Sequence, residues 1–352
     1  MRRLASKHEA DLHVARGITL KLEEQSKRQS EELQRLKVEL KQVEAHHEQT
    51  RHLLEERTRE LTGAQKFLTR TDSLSGADVI SVVESLNAEI LQAAASMAES
   101  LEFTYGSHTE TQRKMAYDYV APMIGADMMH VFTLRSTQKP SEFDPTPVQI
   151  ALQICIAGCC ARIADYWASS SDKLDQNLKE IYKRMCEKEK PAVSGRWRSL
   201  TRAQMRNGED RQGMLSHVVS QVIEVLLVAG WSAQGLSATE PGFNLERLVI
   251  VVDLALRLNT AIGQDITSVD ILPVTIQAGA KFNSKTMEDT YAADVERGHT
   301  QNEDVVANDV VAGTTDIGLR RISRDLEGGP RTDILLKPKV ILRSAVQEEF
   351  LS

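Results

Sequence analysis

LQRLKVELKQVEAHHEQTRHLLEERTRELTGAQKFL, residues 33–68, contains no proline, and Gly63 is its only glycine. Its leucines recur at alternating steps of three and four residues. In an α-helix those steps place side chains along one narrow stripe, which is buried only against another helix. Followed towards the N-terminus, one seam position collects Leu12, Leu33, Leu40, Leu54, Leu61 and Leu68, and the other collects Ala15, Leu22, Leu36, Val43 and Ala64. Gly17 is the only further glycine between residues 8 and 70, where the strong helix formers Glu, Lys, Arg, Gln and Leu dominate. Residues 8–70 are therefore expected to form one long coiled-coil helix.

Thr19, Ser26, Gln29, His47, Thr50 and Arg57 also fall in the seam. Polar seam residues weaken a coiled coil but fix its register and partner number. The best-formed stretches are Leu33 to Val43 and Leu54 to Leu68. Leu33, Leu36, Leu40, Val43, Leu54, Leu61 and Leu68 are the candidate oligomerisation residues. The seam is expected to pair in parallel with a second copy, with another coiled-coil protein or the protein's own body as the alternative mates. The competing reading is a solvated single helix held by charge pairs such as Glu31–Arg35.

Outward from this helix, TDSLSG at 71–76 interrupts the pattern and reads as a helix start, with Ser73 or Ser75 as cap and Asp78 in the first turn. Val79, Val82, Val83, Leu86, Ile90, Ala93, Ala94 and Met97 then form a wider apolar stripe, suited to a globular bundle. Further helices are expected at 109–121, ending at Pro122, and at 148–169, 174–188, 212–229 and 243–262. The core of the last, LVIVVDLAL, also reads as a strand, but its length favours helix. Residues 283–333 are polar and aperiodic and read as disordered, before a short apolar island at 334–342. The expected organisation is an all-α chain: coiled coil at 8–70, helical body at 75–280, and a mostly disordered tail at 283–352.

Bulk numbers bound the function. The chain has 352 residues, 41% hydrophobic and 5% aromatic, with a formal net charge of -7. That length allows about two domains with aliphatic cores. The acidic balance argues against a nucleic-acid coat. The four cysteines, Cys155, Cys159, Cys160 and Cys186, show neither a disulfide framework nor metal-ligand spacing. No apolar h-region follows the N-terminus, and no stretch reaches the roughly 18 apolar residues of a membrane span. A cytoplasmic or nuclear location is expected.

Candidate chemistry is sparse. His47 and His52 in HHEQTRH are five residues apart, so they do not share the helix face that a zinc-protease motif requires. The clustered cysteines read as small core residues. Asp253 is expected to pair with Arg257, one helical turn on. KPAVSGRWRSLTRAQMR carries the strongest signal. Lys190, Arg196, Trp197, Arg198, Arg202 and Arg206 are candidates for contact with an anion or partner, because guanidinium groups bind carboxylates and phosphates bidentately. The opposing reading is a basic face paired with the protein's own acids. No phosphate loop, nucleophile elbow or kinase motif is found, so no catalytic residue, cofactor or metal ligand is assigned.

ERTRELTGAQKFLTRTDSLSGADVISVVESLNAEILQAAASMAES at 56–100, GRWRSLTR at 195–202 and LLKPKV at 335–340 resemble a group of uncharacterised coiled-coil proteins of basidiomycete fungi. The resemblance implies a fungal intracellular protein with a helical body and carries no site residues. The reading is a coiled-coil scaffold or adaptor. A nucleic-acid-associated factor using residues 190–206 is the alternative, and an enzyme of unrecognised type in the helical body is the third.

Overall fold

The computed structural model describes residues 2–68, 72–103, 110–138, 143–168, 171–205, 210–231, 242–291, 309–325 and 329–350. Of these, 72% are helical and 13% lie in strands. The chain divides into two units, Met1–Thr69 and Arg70–Ser352.

The first unit is one helix, α1 (Arg2–Leu68), 67 residues long. At 1.5 Å per residue it spans about 100 Å. Gly17 and Gly63 do not interrupt it. Every side chain from residue 16 to 65 is exposed. Local ion pairs line it, among them Arg28–Glu24 at 3.0 Å, Arg51–Glu48 at 2.9 Å and Arg57–Glu60 at 2.7 Å. Such pairs contribute only about 0.2–0.5 kcal/mol each. The apolar stripe stays open to water, with Leu33 and Leu36 each 57% exposed and Leu54 66% exposed. The side chain of Leu68 lies outside the described residues.

The second unit begins where the capping residues predict. Ser75 Oγ accepts from the amide of Asp78, and the Asp78 carboxylate accepts from the amide of Ser75, at 3.2 and 2.8 Å. This reciprocal cap satisfies two amides that a helix start leaves unpaired. It opens α2 (Gly76–Ser100), which buries the expected Val79–Met97 face. α3 (Glu110–Gln138) does not stop at Pro122. It continues through a break at Gly125, whose φ of 84° and ψ of 160° are open to glycine at little steric cost. α4 (Thr146–Asp165) runs through the core, packed on α2, on α7 (Asp210–Ala229) and on α8 (Leu245–Thr260). α5 (Asp172–Lys188) and α6 (Pro191–Met205) lie between α4 and α7 in sequence. α4 and α7 are long and apolar enough to cross a membrane, with mean hydropathies of 1.5 and 1.4, but 83% and 56% of those windows are buried inside the body.

The reading of 283–352 as mostly disordered is corrected here. β1 (Asp270–Val274) pairs antiparallel with β4 (Gly318–Asp325), which pairs antiparallel with β5 (Gly329–Leu336). In a second sheet β6 (Lys339–Leu342) lies between β3 (Val311–Asp316), antiparallel, and β2 (Glu288–Asp289), parallel. α9 (Arg343–Phe350) closes the described chain. The all-α expectation therefore holds only as a mostly helical chain. Residues 292–308 and 326–328 lie outside the described residues. β3 is buried along five of its six positions, so its polarity does not alternate and no period-2 signal marks it. Asn87 of α2 ties the β3–β4 corner to the helices. Its amide donates to the Ile317 carbonyl at 3.0 Å and accepts from the Ile317 amide at 2.9 Å.

Asp72 anchors the start of the body. It accepts from the Thr267 amide at 2.7 Å, the Thr267 hydroxyl at 3.0 Å, the Ser268 amide at 3.1 Å and the Ser268 hydroxyl. Partial burial pushes its pKa up, but these hydrogen bonds outweigh it and hold the carboxyl below the ordinary aspartate range. A carboxyl depressed in the fold contributes stability above its unfolded pKa, and that stability is lost as pH falls through the folded pKa. Asp72→Asn should therefore cost about 1–2 kcal/mol at pH 7. Its difference from the parent chain should shrink below about pH 4, as read from urea midpoints. A difference constant from pH 3 to 7 would refute this role.

Candidate functional site

The basic row is where sequence placed most weight, and α6 turns part of it inward. Lys190 is exposed, Arg196 and Trp197 are half-buried, and Arg206 lies outside the described residues. Arg198 and Arg202 are 4% and 5% exposed. For these two the expectation of contact with an external anion or partner is corrected: their spacing does align them on one face, but that face meets the protein interior.

Arg198 forms a buried ion pair with Asp270, the first residue of β1. It also donates to the Tyr182 hydroxyl at 3.0 Å and to the carbonyls of Ile266 and Val269 at 2.6 and 3.0 Å. Asp270 is held from two further sides, by the Tyr182 hydroxyl and by Arg324 at 2.6 Å. Burial lowers the pKa of Arg198 and pushes the Tyr182 phenol up to about 12. Arg202 performs a different task. With Asn259 it covers the C-terminal end of α4: Arg202 donates to the carbonyls of Ala164 and Tyr166, and Asn259 to those of Ile163, Ala164 and Tyr166. A helix end leaves its last carbonyls unpaired and carries partial negative charge, so a cation there satisfies both. Burial brings the Arg202 pKa down to about 10, still charged at neutral pH. The Arg202 guanidinium lies 5.5 Å from the Trp167 ring centre, and Trp167 packs against Trp197 at 5.6 Å. GRWRSLTR thus joins α6 to α4, α5 and β1.

The cysteines divide in role. Cys155, Cys159 and Cys160 are all buried. A hydrogen bond with Cys159 and burial raise the Cys155 thiol, and burial raises that of Cys160. Cys159 lies beneath a polar group on α4 and α7. Its thiol donates to Gln221 at 2.7 Å, Arg162 donates to the same oxygen at 3.1 Å, and His217 lies 3.2 Å from Arg162. The hydrogen bond with Cys155, together with Arg162, lowers the Cys159 pKa against the effect of burial. Among the described residues no group of three His, Cys, Asp or Glu side chains could hold a metal ion.

Asp253 pairs with Arg211 of α7, at 2.6 and 2.9 Å. The expected partner, Arg257, is replaced by one 42 residues away in sequence, and the pair is exposed. Neither the distance nor the exposure suggests chemistry there.

Sequence reasoning missed a cleft of about 440 Å³ beside the α3 break. Pro122, Gly125, Gly158, Gln277, Gly313 and Thr314 contribute to its lining. Small residues make it: a side chain at Gly125 would meet Ala278 and the Ala312 carbonyl, each at 2.8 Å. The Thr314 hydroxyl fixes one wall by bonding both the amide and the carbonyl of Ile276, at 2.8 and 3.0 Å. Among the described residues no titratable side chain lines the cleft. Its chemistry is that of a neutral surface with hydroxyl, amide and backbone hydrogen-bonding groups.

Comparison of the whole chain with family models, curated proteins and solved structures returned no match.

Proposed function

We propose that this chain is a coiled-coil scaffold or adaptor, assembling through α1 and presenting the body of residues 70–352 to partners. The observation that carries the reading is the exposure of the α1 stripe. Leu33, Leu36, Leu40 and Val43 are 57–60% exposed over three successive turns. Burial of apolar surface yields roughly 25 cal/mol per Å², so a mate for this stripe would supply the stabilisation that surface ion pairs lack. In proteins most helical stability comes from packing of an apolar face rather than from intrinsic propensity.

Light scattering after gel filtration tests the reading. At micromolar concentration the full chain should run as an oligomer. Leu36→Lys combined with Leu40→Lys should return it to a monomer, with the thermal transition of the body unchanged. A parent chain that is already monomeric with α1 helical refutes self-assembly. The variant controls for association through the body, because a body-mediated oligomer would survive it.

A further inference from the structure

The sequence along α1 also bears on which way a second helix runs, an inference that rests on the self-assembly reading above. We propose that α1 pairs antiparallel with a second copy of itself, across a two-fold axis at Val38. In an antiparallel pair, residues equally far from the axis on opposite sides face each other, and every contact occurs twice. With the axis at Val38, Leu36 faces Leu40, Leu33 faces Val43, and Leu22 faces Leu54. Gln29 faces His47, Ser26 faces Thr50, and Thr19 faces Arg57. Apolar meets apolar and polar meets polar in all of these layers. By sequence the match continues outward, with Ala at position 15 opposite Leu61 and Leu at position 12 opposite Ala64, and ends at the last layer, where His at position 8 stands opposite Leu at position 68.

The match belongs to one register. Sliding the partner by a heptad one way sets Leu36 against His47, Leu33 against Thr50 and Gln29 against Leu54. Sliding it the other way sets Gln29 against Leu40, Ser26 against Val43 and Leu22 against His47. Each such layer puts a polar group against apolar surface, which costs free energy when the group finds no hydrogen bond.

The parallel alternative matches every layer trivially, since each residue meets itself. It also forces Arg57 against Arg57 inside the seam and sets Glu39 beside Glu44 on its flank. A like-charged pair in a desolvated seam is unfavourable. The antiparallel pair gives Arg57 the hydroxyl of Thr19 and sets Glu23 beside Arg51 and Glu32 beside His46. At the axis Lys37 meets Lys37 and Glu39 meets Glu39, but on the outer flanks, where long side chains splay into water and salt screens the repulsion. The structure supplies the geometric condition: the helix is continuous across the whole overlap, residues 8–68, and its described side chains are exposed. A seam that complements itself in reverse closes with two copies and needs no other chain, which favours a second copy over a foreign helix.

Pulsed electron-spin spectroscopy on the full chain tests this. Arg59→Cys places a spin label outside the seam, and Cys186→Ser removes the partly exposed native thiol. At 1.5 Å per residue, labels 21 residues from the axis on each copy should lie about 63 Å apart. A parallel pair brings them to about 20 Å, within the width of two packed helices, and overturns the proposal. Slippage by one heptad gives about 52 or 73 Å and overturns the register. A second variant checks the axis itself: Glu39→Cys, with Cys186→Ser, should form an intersubunit disulfide under mild oxidation. Failure of that link in a dimer also counts against the axis at Val38. A monomer by light scattering, in contrast, removes the self-assembly reading beneath the proposal.

Discussion

Asp270→Ala should destabilise the body by about 3–5 kcal/mol, the range for removing one partner of a buried ion pair. Asp270 is 5% exposed and lies between Arg198 and Arg324. Without its carboxylate two guanidinium groups face each other, and Arg198 has little water to turn to. The remaining acceptors of Arg198, the Ile266 and Val269 carbonyls and the Tyr182 oxygen, carry no formal charge at neutral pH. They cannot offset a buried cation as a carboxylate does. Urea denaturation should show a lower midpoint at unchanged slope. The paired change Arg198→Met with Asp270→Leu should be less damaging than Asp270→Ala alone, because it removes the stranded charge. A cost below about 1 kcal/mol for the single change would mean that the site is as wet as an ordinary surface ion pair. The double variant separates charge from packing, since it alters more core atoms and yet should unfold later.

The contrast between local and long-range signals explains what the sequence discloses. Ser75, Asp78 and the Val79–Met97 stripe are readable because capping and helical periodicity are fixed within a few residues. Arg198 and Arg202 are readable as one face for the same reason. Which way that face points depends on Asp270, on the Ile266 and Val269 carbonyls and on the end of α4, all of them remote in sequence. The same holds for Asp253, whose nearest helical cation loses to Arg211 on another helix. Pro122 was a sound local stop signal, but Gly125 absorbs the break three residues later. β3 escaped notice because its partner β6 lies beyond β4 and β5 in the chain, and because its buried pattern does not alternate. The cleft escaped for a similar reason: glycine, alanine and threonine at four separated places in the chain carry no signal until the fold brings them together.

Gly195→Ala should reverse the usual sign of its substitution. In an exposed helix interior this change stabilises by about 0.5–1 kcal/mol, because glycine loses more conformational freedom on folding. Gly213, exposed on α7 with nothing within 4 Å of an added Cβ, should behave that way. Gly195 is buried in α6, and a Cβ there lands on the Thr267 carbonyl oxygen. Relief requires the 264–269 segment to retreat from α6, and that segment is held from both sides. Ser199 holds the Gln264 carbonyl at 2.9 Å, Arg198 holds Ile266 and Val269, and Asp72 holds the Thr267 and Ser268 amides. Retreat therefore breaks hydrogen bonds to buried or half-buried groups, each worth about 1 kcal/mol and more where a charge takes part. The expected net loss is about 3 kcal/mol or more, at or above the upper end for overpacking. In a body of this size that lowers the melting temperature by roughly 6–12 °C, while Gly213→Ala raises it slightly. Equal shifts in the two variants would show that α6 and the 264–269 segment are not in contact. In that case the Arg198–Asp270 pair, which depends on the same contact, would lose its burial as well.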